Sequence, residues 1–217
     1  MEMELKEKLS DTDVIERILK GEKPLYELIV RRYNPYLYKV GRSYSFNHED
    51  TEDLMQESYV DAYKNLVKFE NRSSFKTWIV RIMLNNCYHK KNKASYKNEL
   101  KEDAISDLKF QSINSINDTD RMVENKELNS VIEQALSKIP EDYRMVFALR
   151  EMNGLSVSDT ADLLKISESN VKVRLNRSKT MLRGHIESAY SSSHLYDFNL
   201  IYCDGIVERV MNAIEKI

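Results

Sequence analysis

The stretch from Phe69 to Lys93 constrains the fold of this chain more than any other. Its apolar residues recur at helical spacing, which places them on one stripe of a helix: Phe75, Trp78, Ile79, Ile82 and Met83. The same count places another set opposite the stripe, on a face expected to be exposed: Thr77, Arg81, Leu84, Tyr88 and Lys91. Ser73 or Ser74 can cap the helix. The pattern predicts a polar loop followed by an amphipathic helix with Trp78 on its core side.

The second half of this helix is strongly basic. Between residues 72 and 101 there are eight Lys or Arg residues and one acid, Glu99. A cationic helix with an exposed Tyr88 suits phosphates and stacked bases. A solvated charged face is the competing interpretation.

Composition favours an all-α protein without a catalytic site. Only 5 Gly and 3 Pro occur among 217 residues, and 31% of the residues are charged. The net charge of −2 hides alternating acidic and basic blocks. Cys87 and Cys203 are far apart, and no Cys/His cluster has metal-ligand spacing. No phosphate loop or nucleophile arrangement is present. We therefore expect no disulfide, metal or cofactor, and not an enzyme.

The N-terminus is charged and no apolar run is long enough for a membrane span, so we expect a cytoplasmic protein without membrane insertion.

A first helix is predicted to start near Thr12 and to end at Gly21, and a second to start at Pro24. Whether Pro35 kinks the second helix stays open.

An acidic segment, residues 47–57, precedes the basic helix. Asp50 or Thr51 is predicted to cap its helix. The inner face is expected to hold the following residues: Leu54, Met55, Ser58, Tyr59, Ala62, Leu66 and Val67. Four polar residues remain outside, forming a strip suited to a basic partner: Asp53, Gln56, Glu57 and Asp61. Helix capping explains part of this acidity.

Periodicity fails at Ala94, and residues 94–123 are polar enough to predict a linker between two domains. A helix before Pro140 and another that ends at Asn153-Gly154 are predicted to follow.

The tail, residues 187–217, includes a predicted amphipathic helix that begins after Asp204. The tail is expected to pack on the second domain or, alternatively, to bind a regulator.

A helix-turn-helix is the most diagnostic pattern of the second domain. Ser156 or Ser158 caps a short helix, a three-residue turn at Lys165-Ile166-Ser167 follows, and Ser167 opens a longer helix. Small Ala161 is expected where the helices cross, with Ile166 buried. From residue 165 to residue 183 there are six cations and one acid, Glu168. The second helix is therefore predicted to enter a DNA major groove.

Three ordered segments together resemble a known family. They are the acidic helix EDLMQESYVDAYKNLVKF, the loop and helix FENRSSFKTWIVRIMLNN, and the block LSKIPEDYRMVFALREMNGLSVSDTADLLKISESNVKVRLNRSKTMLR. In order and spacing they resemble the extracytoplasmic-function (ECF) sigma factors of bacterial RNA polymerase. The resemblance covers residues 25–93 and 127–186. It implies a region 2-like domain over 1–93 and a region 4-like domain over 124–186, joined by the flexible linker.

The resemblance also implies roles for individual residues. The polymerase core would be contacted by Asp53, Gln56, Glu57 and Asp61. The minus-10 element would be read and melted by the base-reading loop and the helix after it: Glu70, Asn71, Arg72, Ser73, Ser74, Lys76, Trp78, Arg81, Tyr88, Lys90 and Lys91. The minus-35 element would be bound as duplex by Glu168, Ser169, Asn170, Lys172, Val173, Arg174, Asn176, Arg177 and Lys179. An anti-sigma factor is an expected further partner by family analogy.

One departure from the family concerns melting. Primary sigma factors carry adjacent aromatics on the melting helix, whereas Ile79 follows Trp78 here. Melting is therefore expected to tolerate poor promoters less well. Two other functions remain open: a dimeric helix-turn-helix regulator that binds a palindrome without polymerase, and a helical adaptor whose basic faces bind acidic proteins.

Overall fold

The computed structural model describes residues 9–99 and 130–189, with side chains over 9–93 and 130–188. The described residues contain helices and no β-strand, so the all-α prediction is confirmed. In the first part of the chain these are α1 (Asp11–Leu19), a 3₁₀ turn (Lys23–Leu25), α2 (Tyr26–Ser43), α3 (His48–Lys64), a 3₁₀ turn (Leu66–Lys68) and α4 (Phe75–Glu99).

The second part begins with α5 over residues 130–137. It continues with α6 (Glu141–Phe147), which runs into a π-helical turn (Ala148–Met152), and ends with α7 (Val157–Leu164) and α8 (Glu168–Ala189). The predicted tail helix and most of the predicted linker lie outside the described residues. The first six residues assigned to the linker continue α4 as helix, to Glu99.

Two predicted caps were wrong by a few residues. Ser10 rather than Thr12 caps α1, since its side chain accepts the Asp13 amide while Asp13 accepts the Ser10 amide. Asn47, rather than Asp50 or Thr51, caps α3 by accepting the Asp50 amide at 2.7 Å. Pro35 lies inside α2.

Helix α4 is the centre of the first domain and is buried on more than one side. Phe75, Ile79 and Met83 are buried as predicted, and Trp78 and Ile82 are half-buried. Thr77 and Leu84, predicted on the exposed face, are also buried, at 2% and 6% exposure. The predicted exposed face was therefore wrong for these two residues, because α2 and α3 both pack along α4. Val67 was expected inside and is instead 75% exposed.

The second domain forms the predicted helix-turn-helix. Gly154 takes the left-handed conformation after the π-helical turn, with φ of 65°. Ser156 caps α7, and Lys165 ends it in the left-handed region with φ of 54°. The Asn170 amide donates to Ser167 Oγ at 3.2 Å, so Ser167 opens α8 as predicted. Ala161 is buried in a small core with Val146 and Val171, and Ile166 packs against it.

Close packing at Gly41 allows a stability test of the first domain. A Cβ added there would lie 2.6 Å from Thr51 Cγ2 and 3.0 Å from Met83 Cε. We expect Gly41→Ala to lower the free energy of unfolding by about 1 to 3 kcal/mol, since overpacking outweighs the gain in helix propensity. Urea denaturation measures this. Gly184→Ala is the matched control, because nothing lies within 4 Å of its added Cβ. It should stabilise α8 by about 0.5 to 1 kcal/mol, and equal effects would contradict the packing argument.

No helix in residues 9–99 or 130–189 is long and apolar enough to cross a membrane.

Candidate polymerase and nucleic-acid interface

The outer face of α3 presents a polar strip, as the sequence predicts. Asp53, Gln56 and Glu57 are exposed. Asp61 was predicted to be exposed but is half-buried, and its Oδ2 accepts a hydrogen bond from Asn86 Nδ2 at 3.2 Å. Three carboxylates and an amide along two turns of helix can meet a row of cations.

The strip continues into an apolar patch that was not predicted from the sequence. Val60 is 44% exposed and Tyr63 is 37% exposed, and Val67 follows on the next turn. The Tyr63 ring packs edge-on against Tyr26 at a centroid distance of 5.0 Å. Val60 lies one heptad after Asp53 and therefore on the same helix face, which is the signal that could have revealed the extension. A partner of this face would meet charge at one end and apolar surface at the other.

The predicted base-reading loop, residues 70–74, is exposed and locally structured. Asn71 takes a left-handed conformation with φ of 54°. Arg72 forms an ion pair with Glu70, 2.5 Å between Nη2 and Oε2. Ser74 caps α4 by accepting the Thr77 amide at 3.1 Å. The polar groups of the loop face solvent, where they can form hydrogen bonds with the edge of an extruded base.

Trp78 supports this loop from behind. Its ring lies 5.3 Å from the Phe69 ring and 5.4 Å from the Phe75 ring, centroid to centroid. It is half-buried and joins the main core. Because Phe69 immediately precedes the loop, the three rings hold the entry and exit of the loop at a fixed spacing.

A polar groove of about 450 Å³ lies beside Trp78 and contains further functional candidates. It is lined by Asp61, Asn65, Lys68, Trp78, Ile82, Asn85, Asn86 and His89. Amide, carboxylate and imidazole groups can hydrogen-bond to base edges. Asn85, Asn86 and His89 were not predicted, because the predicted set rested on cations and aromatic residues. Their helical spacing around Trp78 and Ile82 was the available signal.

The cations predicted for the melting helix differ in their surroundings. Lys76 Nζ lies 3.9 Å from the centre of the Tyr36 ring. Burial lowers the Lys76 pKa, as does the nearby charge of Lys39. Lys90 Nζ pairs with Asp50 Oδ1 at 2.6 Å. Tyr88 is 56% exposed, as predicted.

Arg81 and Lys91 are held by carboxylates of the second domain. Arg81 Nη2 lies 2.5 Å from Asp162 Oδ2 on α7, and Lys91 pairs with Glu141 on α6. These contacts are not predictable from local spacing, because 81 residues separate Arg81 from Asp162 and 50 residues separate Lys91 from Glu141.

The predicted DNA-contacting residues of α8 divide into two groups. Asn170 and Arg174 are half-buried. The other seven are exposed: Glu168, Ser169, Lys172, Val173, Asn176, Arg177 and Lys179. Three cations turn back toward their own domain. Arg174 pairs with Asp142 at 3.1 Å, Lys179 with Glu151 at 2.9 Å, and Arg177 donates to the Tyr143 hydroxyl at 3.3 Å. Ser169 Oγ lies 2.9 Å from Ser167 Oγ. Lys172, Val173 and Asn176 are exposed and make no such side-chain contact in the described residues.

The cysteine prediction is partly covered by the described residues. Cys87 is free and fully buried, and burial raises the pKa of its thiol to about 12. Cys203 lies outside the described residues. Within the described ranges no group of His, Cys, Asp and Glu side chains has an arrangement that could hold a metal ion.

Comparison with known proteins agrees with this architecture. A sigma-70 region 2 model matches residues 29–95, and a sigma-70 region 4 model matches residues 130–182. The ECF RNA polymerase sigma-E factor of Haemophilus influenzae is 26% identical over 185 residues, which is 83% of this chain and 97% of that protein. The Escherichia coli K12 protein of the same name is 27% identical over 189 residues, covering 84% of this chain and 97% of that protein.

Two solved structures have a similar fold. The sigma factor RpoE of Bartonella quintana, crystallised with the anti-sigma factor NepR, aligns with a TM-score of 0.63 at 20% identity, over 75% of this chain and 96% of that one. CnrH, in complex with the cytosolic domain of CnrY, aligns with a TM-score of 0.58 at 21% identity, over 82% of this chain and 97% of that one.

Region 2 followed by region 4 defines the class of protein: a sigma-70-type initiation factor of RNA polymerase. The two matched regions, together with the ECF sigma-E factors that align over nearly their whole length, show that the chain belongs to the ECF group of the sigma-70 family. It binds core RNA polymerase and promoter DNA.

Proposed function

We propose that this sigma factor divides promoter recognition among three surfaces. The strip on α3 (Asp53, Gln56, Glu57 and Asp61) docks on the core polymerase. The loop 70–74 reads an extruded base of the minus-10 element, and α8 binds the minus-35 element as duplex. The observation that carries the proposal is that most residues of the three surfaces are exposed, two of them on helices and one on the loop before α4, in the order that region 2 and region 4 require.

The proposed base reader has the physical means for its task. Extruding a base costs a few kcal/mol of unstacking, which hydrogen bonds to the free base edge can offset. The loop supplies hydroxyl, amide and carboxylate groups, and the groove beside Trp78 supplies further amide and carboxylate groups. Lys76, Arg81, Tyr88, Lys90 and Lys91 are proposed to hold phosphates and the separated strand.

The remaining assignments follow from this function. The proposed domains are residues 1–93 and 124–186, joined by the segment 94–123. The chain is proposed to act by binding rather than by catalysis, in the cytoplasm, where bacterial RNA polymerase works. The Bartonella relative of known structure is complexed with an anti-sigma factor, and we propose an inhibitory protein partner of that kind for this chain.

Run-off transcription with purified core polymerase and a promoter library tests the proposal. We expect start-specific transcripts that depend on this chain. A dimeric regulator would instead bind a palindrome without polymerase and give no such transcripts. A protein-interaction adaptor would bind neither the palindrome nor the promoter DNA.

The division of labour between the domains is tested by comparing Trp78→Ala with Arg177→Ala. Removing the Trp78 ring loosens the aromatic support of the loop, so we expect Trp78→Ala to impair promoter opening, measured by permanganate reactivity of unpaired thymines. Arg177→Ala should weaken binding to closed minus-35 duplex by about 1 to 3 kcal/mol if Arg177 contacts a base, and by less if it contacts only phosphate. Loss of duplex binding by Trp78→Ala, in a protein whose circular dichroism is unchanged, would contradict the proposal.

A further inference from the structure

A cavity of about 250 Å³ lies where the two domains meet. One wall comes from the C-terminal half of α2 and the turn after it, and the other comes from α5, α6 and the π-helical turn. The strip on α3, the loop 70–74 and the DNA-contacting residues proposed on α8 contribute nothing to its lining. The cavity is therefore separate from the three surfaces proposed for promoter recognition.

Buried contacts hold the two walls of this cavity in place. Arg144 Nε donates to the Ser43 carbonyl and Arg144 Nη2 donates to Ser45 Oγ, each at 2.7 Å. Lys39 Nζ donates to the Met152 carbonyl at 3.0 Å. Because these bonds join α2 and the turn after it to α6 and the π-helical turn, the cavity is formed before any ligand enters, as is usual for small-molecule sites.

The charges that line the cavity favour an anion. Lys39, Arg42 and Arg144 contribute three cations, and Glu133 contributes one carboxylate, which gives a net charge of +2. A guanidinium carries five N–H groups and an ammonium carries three. Among the described residues Arg144 Nη2 has one acceptor, Ser45 Oγ, and Lys39 has one, the Met152 carbonyl. Both cations therefore retain N–H groups that can donate to a bound carboxylate.

The rest of the lining favours an aromatic group over a hydrated ion. Tyr38 contributes its ring, and Leu136, Ala148 and Met152 contribute aliphatic or thioether surface. Removing a doubly charged ion such as phosphate from water into such surroundings is costly. A dry cavity of about 150 Å³ holds benzene, so the larger volume here has room for one aromatic ring and a short acidic chain.

We propose that this cavity binds a small aromatic monocarboxylate, with the ring against Tyr38, Leu136 and Met152 and the carboxylate held by Arg144 and Lys39. Since such a ligand contacts both domains and requires the folded chain, its binding should also raise the melting temperature. The site uses none of the surfaces proposed for polymerase or DNA, so its test is independent of the proposed function.

Titration of the full chain with 3-phenylpropanoate, followed by saturation-transfer NMR, tests this inference. We expect saturable binding with a Kd on the order of 0.1 to 1 mM, which suits a ligand of this size. The neutral 3-phenylpropanamide has the same shape and should bind about tenfold more weakly, because it lacks the charge. Inorganic phosphate should not compete. Leu136→Trp places a larger side chain in the cavity and should abolish binding in a protein whose circular dichroism is unchanged.

Lys39→Gln and its matched control Lys20→Gln test the role of the cation. Glutamine keeps a donor for the Met152 carbonyl but removes the charge, so Lys39→Gln should weaken binding about three- to tenfold. Lys20 is an exposed lysine of α1 that pairs with Glu16, outside the cavity, and Lys20→Gln should leave binding unchanged. This pair of variants remains decisive if Leu136→Trp does not fold.

Four results would overturn the inference. They are absence of saturable binding up to about 10 mM 3-phenylpropanoate, equal binding of the amide, competition by inorganic phosphate, and equal losses in the two lysine variants. Retained binding by a folded Leu136→Trp protein would place the ligand outside this cavity and overturn the inference as well.

Discussion

Replacing Arg144 with methionine is expected to lower the free energy of unfolding by about 2 to 4 kcal/mol. Arg144 is only 8% exposed, and its guanidinium donates to carbonyls in both domains. Within its own domain Nη1 lies 2.9 Å from the Ser137 carbonyl and 3.1 Å from the Ile139 carbonyl. Methionine fills similar space but leaves these buried acceptors unpaired. The free-energy cost of an unpaired buried acceptor exceeds the net stabilisation that its hydrogen bond contributed.

The charge of Arg144 is tolerated in this position because of its acceptors. Burial lowers the pKa of Arg144, and the nearby Glu141 raises it. An arginine nevertheless stays protonated at neutral pH. Its desolvation is therefore offset by charge-assisted bonds rather than by loss of the proton.

Urea denaturation followed by circular dichroism measures this effect. Arg177→Met is the control, because Arg177 is an exposed arginine of the same domain, and its effect should stay within about 0.5 kcal/mol. Equal midpoints for the two variants would show that the Arg144 contacts contribute nothing. A change for Arg144→Met in the second domain alone would assign its role to that domain rather than to the boundary.

Reversing the charge at two positions of the α3 strip, Asp53→Lys with Glu57→Lys, is expected to weaken binding to core polymerase by about 10- to 100-fold at low salt. Both side chains are exposed, so the change should not unfold α3. Complementary charge mainly raises the association rate, and the loss should therefore shrink as salt screens the contact.

The measurement is a titration of labelled sigma factor with core polymerase at two salt concentrations. Glu16→Lys with Glu27→Lys changes the net charge equally on α1 and α2 and serves as the control. If this control loses as much affinity, the effect reflects overall charge and the docking strip is misassigned.

Local predictions were accurate where one residue type could serve a role, and less so where several competed. Ser167 caps α8 as predicted, and Ser156, one of the two serines predicted as candidates, caps α7. Asn47, Asp50 and Thr51 were all able to cap α3. Asn47 does so, while the Thr51 hydroxyl donates to the Asn47 carbonyl at 2.6 Å and the side chain packs on Gly41. Sequence spacing alone does not rank such candidates, because the choice depends on which side chain the neighbouring helix buries.

The exposed face predicted for α4 was partly wrong for a related reason. Periodicity assumes one buried stripe on each helix. Helix α4 is covered by α2 and α3, so Thr77 and Leu84 are buried beside the predicted stripe. The outward residues Arg81 and Tyr88 remained correctly predicted.

The helical class, the helix-turn-helix, the family and the order of its functional segments were predictable from the sequence, because capping, turn chemistry and apolar periodicity act over a few residues. The packed helices were needed to show that Arg144 joins the two domains and that Asp162 and Glu141 hold Arg81 and Lys91. The packing also shows that Trp78 braces the loop through Phe69 and Phe75. These contacts join side chains that are distant in the chain or depend on the direction of several helices, and their energies arise only when the helices are packed.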